Sequence, residues 1–413
     1  MVPSEIAAAI AQHYAAVRRD LPWRRSRDPY AIWVSEIMLQ QTRVQTVIPY
    51  WERWMATFPT VEALAAAPLD AVLAAWAGLG YYSRARNLKK GAEVVAARFA
   101  GELPRRAAEL RAVPGIGPYT AGAIASIAFG ERTPLVDGNV ARVLARVYAL
   151  GADVKSSAGQ RALWARAGAL VEALPAGTPP GDLNQGLMEL GATLCTPTQP
   201  RCLVCPIARG CEAARRGTQA RYPVTAPRKR EDELPVLERA ALWLLDGGGQ
   251  LVLARRVPQG LFGGLWELPQ GATRLEIARA LGVTRVAREP VAFHDQTLSH
   301  RRLRIAVYPA SWAAAAPRAL VGVEIPGYDA LVRVSLATAH QLGVAASTTT
   351  ILTKYEDTPW SSTPRRSPSS RKATTRSSAG STASATTSTT RTSATRRRAP
   401  RRASTSSSTT RSR

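Results

Sequence analysis

The sequence predicts two domains of different class in series: a mainly α unit at the N-terminal end and a smaller α+β unit after it. Residues 4 to about 216 are rich in Ala and Leu at 3.6-residue spacing, broken by Pro and Gly, and almost nothing there alternates like a strand. After Arg221 the texture changes. Short apolar or alternating runs appear at Ala240 to Leu245, Leu251 to Ala254 and Leu303 to Tyr308, with the turn Asp246-Gly247-Gly248-Gly249 joining the first two. The length agrees, because 413 residues exceed what one compact core usually holds.

These signals divide the chain into a helical domain over 1–221, a linker over 222–235, an α+β domain over 236–357 and a tail over 358–413. The linker carries three prolines and a cluster of charges. The tail is almost wholly Ser, Thr, Arg, Ala and Pro, cannot bury enough apolar surface to order itself, and is expected to have no fold. It reads as a basic arm, or as a reading-frame error in a GC-rich gene; its composition favours the second. The formal charge of +25 points to a polyanionic partner. From Thr348 onward there are 14 Lys or Arg against two acidic residues, so the tail supplies +12 and the rest of the chain +13.

No signal peptide is visible and no uncharged apolar run reaches ~18 residues, so a soluble, cytoplasmic, membrane-free protein is expected. All four cysteines lie between Cys195 and Cys211, which suits one metal site in a reducing compartment rather than scattered disulfides.

Within the helical domain, Leu110 to Phe129 places a Pro-Gly-Ile-Gly turn between two helical stretches. Glycines at 115 and 117 permit positive φ and close backbone approach, Pro118 suits a first helical turn, and exposed amides at such a helix start can hold a phosphate. A plain helix–helix turn is the bland alternative. Further on, Asp137 stands at the N-cap of a helix whose apolar residues are Val140, Val143, Leu144 and Val147. Capping alone is worth ~1 kcal/mol. The helix dipole would also keep this carboxylate ionised, able to face a developing cation.

A second carboxylate lies upstream, where Asp28 caps and Pro29 opens another predicted helix. Glu36 shares a face there with Ile32, Trp33, Leu39 and Gln40. On such a stripe it is either at the surface edge or buried with a raised pKa, and burial would make it a general acid. One neutral and one ionised carboxylate are what cleavage of a glycosidic bond requires, one protonating the leaving group and one stabilising the oxocarbenium-like sugar. In DNA the leaving base must first be turned out of the stack.

The cysteines, spaced Cys195-x6-Cys202-x2-Cys205-x5-Cys211, suit a cubane iron-sulfur cluster better than zinc, whose four-cysteine sites usually come as two separated pairs. Arg201, Arg209, Arg215 and Arg216 surround the loop.

In this order the elements resemble the helix-hairpin-helix glycosylases with a cluster loop, and within them the MutY adenine glycosylases, over residues 1 to about 345. The resemblance implies that Glu36, in SEIMLQQT, protonates adenine, and that Asp137, in VDGNV, stabilises the sugar cation with support from Asn139. Cys195, Cys202, Cys205 and Cys211 would ligate a [4Fe-4S] cluster. Gln41 and Tyr81, the latter in GLGYYSRARNL, would wedge into the duplex with Thr42 beside them, and Trp23 and Arg24 of LPWRR would line the adenine pocket. The implied partner is double-stranded DNA carrying adenine opposite 8-oxoguanine or guanine, bound by a monomer.

In the sister family, the endonuclease III-like glycosylases with lyase activity, the residue two after the hairpin's second glycine is a nucleophilic lysine. Here it is Tyr119, which implies a monofunctional glycosylase. A non-catalytic iron-sulfur DNA protein that senses redox state would explain the cysteines and the charge, but not Glu36 and Asp137 together. Gly264 to Pro269 resembles the GLWE(F/L)P stretch of the family's Nudix-like C-terminal domain, and only isolated acids such as Glu276 and Glu289 stand where a hydrolase needs a glutamate-rich box. That domain is expected to read the lesion through Thr297-Leu298-Ser299-His300, which resembles a Phe-Ser-His loop with Leu298 in place of the aromatic. A polar β-turn is the bland alternative for Ser299 and His300.

Overall fold

Several helical segments of the first half begin where the sequence offers a cap or a proline. In the computed structural model, which describes residues 1–227, 230–312 and 325–355, these segments fold as α1 (Pro3–Val17), α2 (Pro29–Leu39), α3 (Val44–Thr57), α4 (Val61–Ala66), α5 (Leu69–Trp76) and α6 (Ser83–Arg98). There follow α7 (Ala107–Leu110), α8 (Pro118–Ala128), α9 (Gly138–Val147), α10 (Ser157–Glu172), α11 (Pro180–Thr193) and α12 (Glu212–Arg215). The Asp28 carboxylate accepts from the amides of Tyr30 and Ala31 at the head of α2, Thr60 and Ser156 cap α4 and α10, and Asp137 caps α9. Each cap satisfies amides that the helix itself leaves unpaired.

Two apolar cores result. One gathers Trp33, Trp54 and Trp76 with Leu64, Leu88 and Ile124 from α2 to α8; the other joins α1, α9, α10 and α11 through Ile10, Val140, Leu144, Leu163 and Leu187. Helix α8 serves both, with Ile124 facing the first core and Ala123 the second. The cleft between the cores therefore has helices from both as its walls.

The second half forms β1 (Val236–Leu244), β2 (Leu251–Arg256), β3 (Trp266–Glu267), β4 (Gln270–Gly271), α13 (Arg274–Ala280), β5 (Arg285–Val286), β6 (Ala292–Thr297) and β7 (Arg302–Ser311). After these come β8 (Tyr328–Val334), α14 (Leu336–Gln341) and α15 (Ala346–Tyr355). One sheet runs β4-β1-β7-β5 with β6 also on β7; the other runs β3-β2-β8. Strands β1 and β7 pair in parallel, Leu237 opposite Leu303 and Ala241 opposite Val307. The turn at 246–249 does not make a hairpin ladder. Its two strands belong to different sheets and touch through a single bridge, Leu245 with Leu251: the halves that flank the turn, 240–244 and 251–254, are buried on both sides and each pairs within its own sheet.

Both halves lie in one compact unit. Leu265 and Ala345 of the second half enter the first core, the Tyr82 hydroxyl donates to the carbonyl of Val344 at 3.3 Å, and Arg86 donates to the carbonyl of Gly263. The first residues of the linker pack on the helical domain: the Val154 amide donates to Val224 at 3.0 Å. The tail expected over 358–413 lies outside the described residues. Among the described residues no helix is long and apolar enough to cross a membrane.

Candidate active site

A pocket of about 530 Å³ opens where α2, α8, α9 and α11 meet, and Trp23, Arg24, Glu36, Gln41, Thr42, Tyr119, Asp137 and Asn139 all line it. Glu36 reaches it from α2, whose hydrophobic surroundings bury the carboxyl almost completely. Burial raises its pKa to about 7, with the nearby Asp137 charge pushing the same way; the Tyr119 hydrogen bond and Arg24 oppose them. Tyr119, on the first turn of α8, donates its hydroxyl to Glu36, and burial together with the two carboxylates drives its own pKa well above the usual phenol value.

Asp137 enters from the head of α9, where its carboxylate accepts from the Val140 amide at 2.6 Å and from Asn139 Nδ2 at 3.0 Å. At the positive end of the helix dipole this group is expected simply to stay ionised. Burial instead pushes its pKa up, while the Val140 and Asn139 donors and Arg142 pull it back. Desolvation enters because the cap is placed between two cores, which the sequence of α9 alone does not show.

Gly115, Gly117 and Tyr81 lie outside the pocket lining, whereas Gln41 belongs to it. Gly115 has φ +83°, and a Cβ there would come within 2.8 Å of Asn87 Cβ, so glycine is required. Gly117 does not need positive φ. It is the extended N-cap of α8, at φ −85°, and a Cβ there would meet nothing in the protein. Gln41 and Tyr81 both stand at positive φ, +57° and +47°, and Tyr81 is half exposed. Tyr81 meets the second domain: its hydroxyl lies 3.4 Å from Ser299 Oγ. Ser299 and His300 are exposed on a tight turn closed by the Leu298 amide donating to the Arg301 carbonyl at 2.8 Å, and this turn faces Tyr81.

The four cysteines line a separate, apolar cavity. Arg146 Nη1 lies 3.3 Å from Cys195 Sγ, and Gln219 Nε2 lies 3.6 Å from Cys202 Sγ. Burial raises the Cys205 thiol to about 11 and pushes Cys211 up as well. Among the described residues no three His, Cys, Asp or Glu side chains form a ready site for a single ion.

Residues 34–167 match the HhH-GPD superfamily of base excision DNA repair proteins, and residues 240–354 match the NUDIX domain. The helical domain thus carries the HhH-GPD superfamily match and the α+β domain the NUDIX match. It is 44% identical over 306 residues to the adenine DNA glycosylase of Homo sapiens, covering 62% of this chain and 55% of that one. It is also 44% identical over 301 residues to the adenine DNA glycosylase of Arabidopsis thaliana, covering 64% of this chain and 47% of that one. The chain thus spans about half the length of these curated relatives. A solved thermostable thymine-DNA glycosylase is 30% identical with a TM-score of 0.47, covering 52% of this chain and 97% of that one.

The pocket and its rim also contain residues that the sequence pattern did not single out. Glu189 on α11 binds Arg19 at 2.6 Å and Arg24 at 2.9 Å within the pocket; burial would raise its pKa, but the two guanidiniums hold it below the usual carboxylate range. A signal existed, since Gln185, Met188, Glu189 and Ala192 form an i, i+3, i+4, i+7 stripe that all lines the pocket. Gly191 lets that stripe approach, because a Cβ there would come within 2.7 Å of Asn139 Cβ. Arg84 had no signal. Its buried guanidinium donates to the carbonyls of Ile37, Met38 and Gln40 on one side and of Leu79 and Gly80 on the other, tying the Gln41 and Tyr81 loops together. Asn139 Oδ1 accepts from Arg142, which in turn donates to the Cys195 carbonyl, so the caps of the pocket and the cysteine loop share one hydrogen-bonded chain.

Proposed function

We propose that this chain is a monofunctional adenine DNA glycosylase that hydrolyses the N-glycosidic bond of adenine mispaired with 8-oxoguanine or guanine in duplex DNA. The observation that carries the reading is the pairing of Glu36 and Asp137 across one pocket, the first raised to about 7 and the second held by an amide and an asparagine. Glu36 protonates the extruded adenine, whose departure leaves positive charge on the sugar, and Asp137 stabilises that charge until water adds. Glu189 and Arg24 offer the base an acceptor and a donor. Tyr119 positions the Glu36 proton and cannot form a Schiff base. The similarity to proteins named adenine DNA glycosylase supports the choice of adenine.

The four thiols around one cavity, with Arg146 and Gln219 as sulfur-directed donors, fit a [4Fe-4S] cluster held by Cys195, Cys202, Cys205 and Cys211. Such a cluster would tie the loop that carries exposed Arg201, Arg209, Arg215 and Arg216 toward a phosphate backbone.

The test is adenine release from a duplex bearing adenine opposite 8-oxoguanine. Glu36→Gln should slow it by at least ~10²-fold with mispair affinity kept, and borohydride should trap no covalent complex. Turnover near normal would end the assignment to Glu36. Lesion choice belongs to the turn facing Tyr81. Ser299→Ala with His300→Ala should reduce the preference for 8-oxoguanine over guanine by about tenfold, the worth of one base-reading contact. An unchanged ratio would move that role to Gln41, Thr42 and Tyr81.

A further inference from the structure

Two residues at the head of α6 reach across to the second domain. Tyr81, just before the helix, lies against Ser299 of the turn at 298–301, and Arg86, inside it, donates to the carbonyl of Gly263 in the loop between β2 and β3. Arg86 is half-buried, burial lowers its pKa, and no carboxylate opposes that shift. A guanidinium taken out of water without an anion is costly unless its donors are used. The bond to Gly263 is the use that crosses between the domains.

The loop that receives it, 257–265, is stiff. The Gly264 amide donates to the Arg256 carbonyl at 3.0 Å and the Leu265 amide to the Phe262 carbonyl at 3.0 Å. Phe262, at φ +58°, packs against the tryptophan core of the helical domain and against a core of the second domain. Leu261 and Phe262 in turn share the walls of one small cavity with Arg301, the last residue of the turn. The path from α6 through Gly263 and Phe262 therefore arrives at one end of the turn, while Tyr81 meets its middle. The turn's own closing bond, from Leu298 to Arg301, fixes its shape but not where it points relative to Tyr81.

We propose that Arg86 is a positioning residue for the choice of opposite base: by fixing the 257–265 loop on α6 it holds the turn against Tyr81, so that Ser299 and His300 face the base opposite the extruded adenine. This rests on the reading of the turn given above. Arg86 does not line the pocket, so its loss leaves the bond-breaking step intact.

Single-turnover excision by the full chain, from duplexes with adenine opposite 8-oxoguanine and opposite guanine, tests it. Arg86→Met keeps the alkyl stem and removes the donors. It should lower the preference for 8-oxoguanine about tenfold, the worth of one charge-assisted hydrogen bond, with the rate opposite guanine unchanged. Arg86→Lys keeps a charged donor and should restore most of the preference. Arg86→Gln, shorter and uncharged, takes the place of the Met variant should that one fail to fold. Adding Arg86→Met to the Ser299→Ala, His300→Ala pair should lower the preference no further, because both act through one turn. An unchanged preference in the Arg86 variant beside a lowered one in the pair would overturn the role of Arg86 and leave the reading of the turn standing. Equal slowing on both duplexes, or full additivity with the pair, would make Arg86 a staple between domains and overturn it too. An unchanged preference in the pair would remove the reading of the turn, and this inference with it.

Discussion

Glu36 and Glu267 are both buried carboxyls that accept a tyrosine hydroxyl, and burial raises both, to about 7 and about 6. They differ in what else faces them. Glu36 meets a second carboxylate, Asp137, across an open pocket, so its neighbour adds to the shift. Glu267 meets Arg256 and Arg239, which pull its pKa back down. Desolvation is common to both sites; the sign of the nearest charge separates a proton donor from a structural anion.

The largest effect that would break this comparison is on stability. A carboxyl raised from 4.5 to about 7 costs the folded state about 3 kcal/mol once ionised. That stability is fully present below 4.5 and is lost as pH rises through about 7. Denaturant unfolding at pH 8 should therefore show Glu36→Gln more stable than the unsubstituted chain by about 3 kcal/mol, with the gain gone by pH 4.5. Glu267, raised only from 4.5 to about 6 because Arg256 and Arg239 offset part of its burial, should show a smaller gain as Glu267→Gln, about 2 kcal/mol at pH 8. A gain as large as that of Glu36→Gln would mean the arginines do not support Glu267.

The pH dependence of excision sharpens the same contrast. With Glu36 titrating at about 7, the rate should fall as pH rises above that value, tenfold per unit, because the proton donor is lost. On the acid side it should fall as Asp137 protonates, above its ordinary 3.8 because burial raises it. A single-turnover rate flat from pH 6 to pH 9 would remove Glu36 from the proton transfer.

A smaller effect is expected at Arg84, which touches neither carboxyl. Arg84→Lys keeps a charge but cannot span both loops, so Gln41 and Tyr81 lose the strut that holds their positive-φ backbones. Discrimination between mispaired and undamaged duplex should drop about tenfold in binding assays, the worth of one or two such hydrogen bonds. Equal weakening on both duplexes would show that Arg84 only supports the fold.

The sequence by itself determined what depends on local spacing. Helical periodicity, Pro29 and Pro118 at helix starts, and Asp28 and Asp137 at caps follow from backbone requirements that neighbouring residues satisfy, and the structure has them as read. The stripe carrying Glu36, the single cysteine loop and the change to strands after Arg221 were legible for the same reason. Tertiary structure decided the rest. Whether β1 and β2 share a sheet depends on partners about 60 to 80 residues away. The partners of Glu189 lie 165 and 170 residues distant, and Arg84 bonds to α2 more than 40 residues back. The raised pKa of Asp137 comes from burial between two cores rather than from its own helix. Desolvation and long-range hydrogen bonds are set by which surfaces meet, and local spacing carries no record of that.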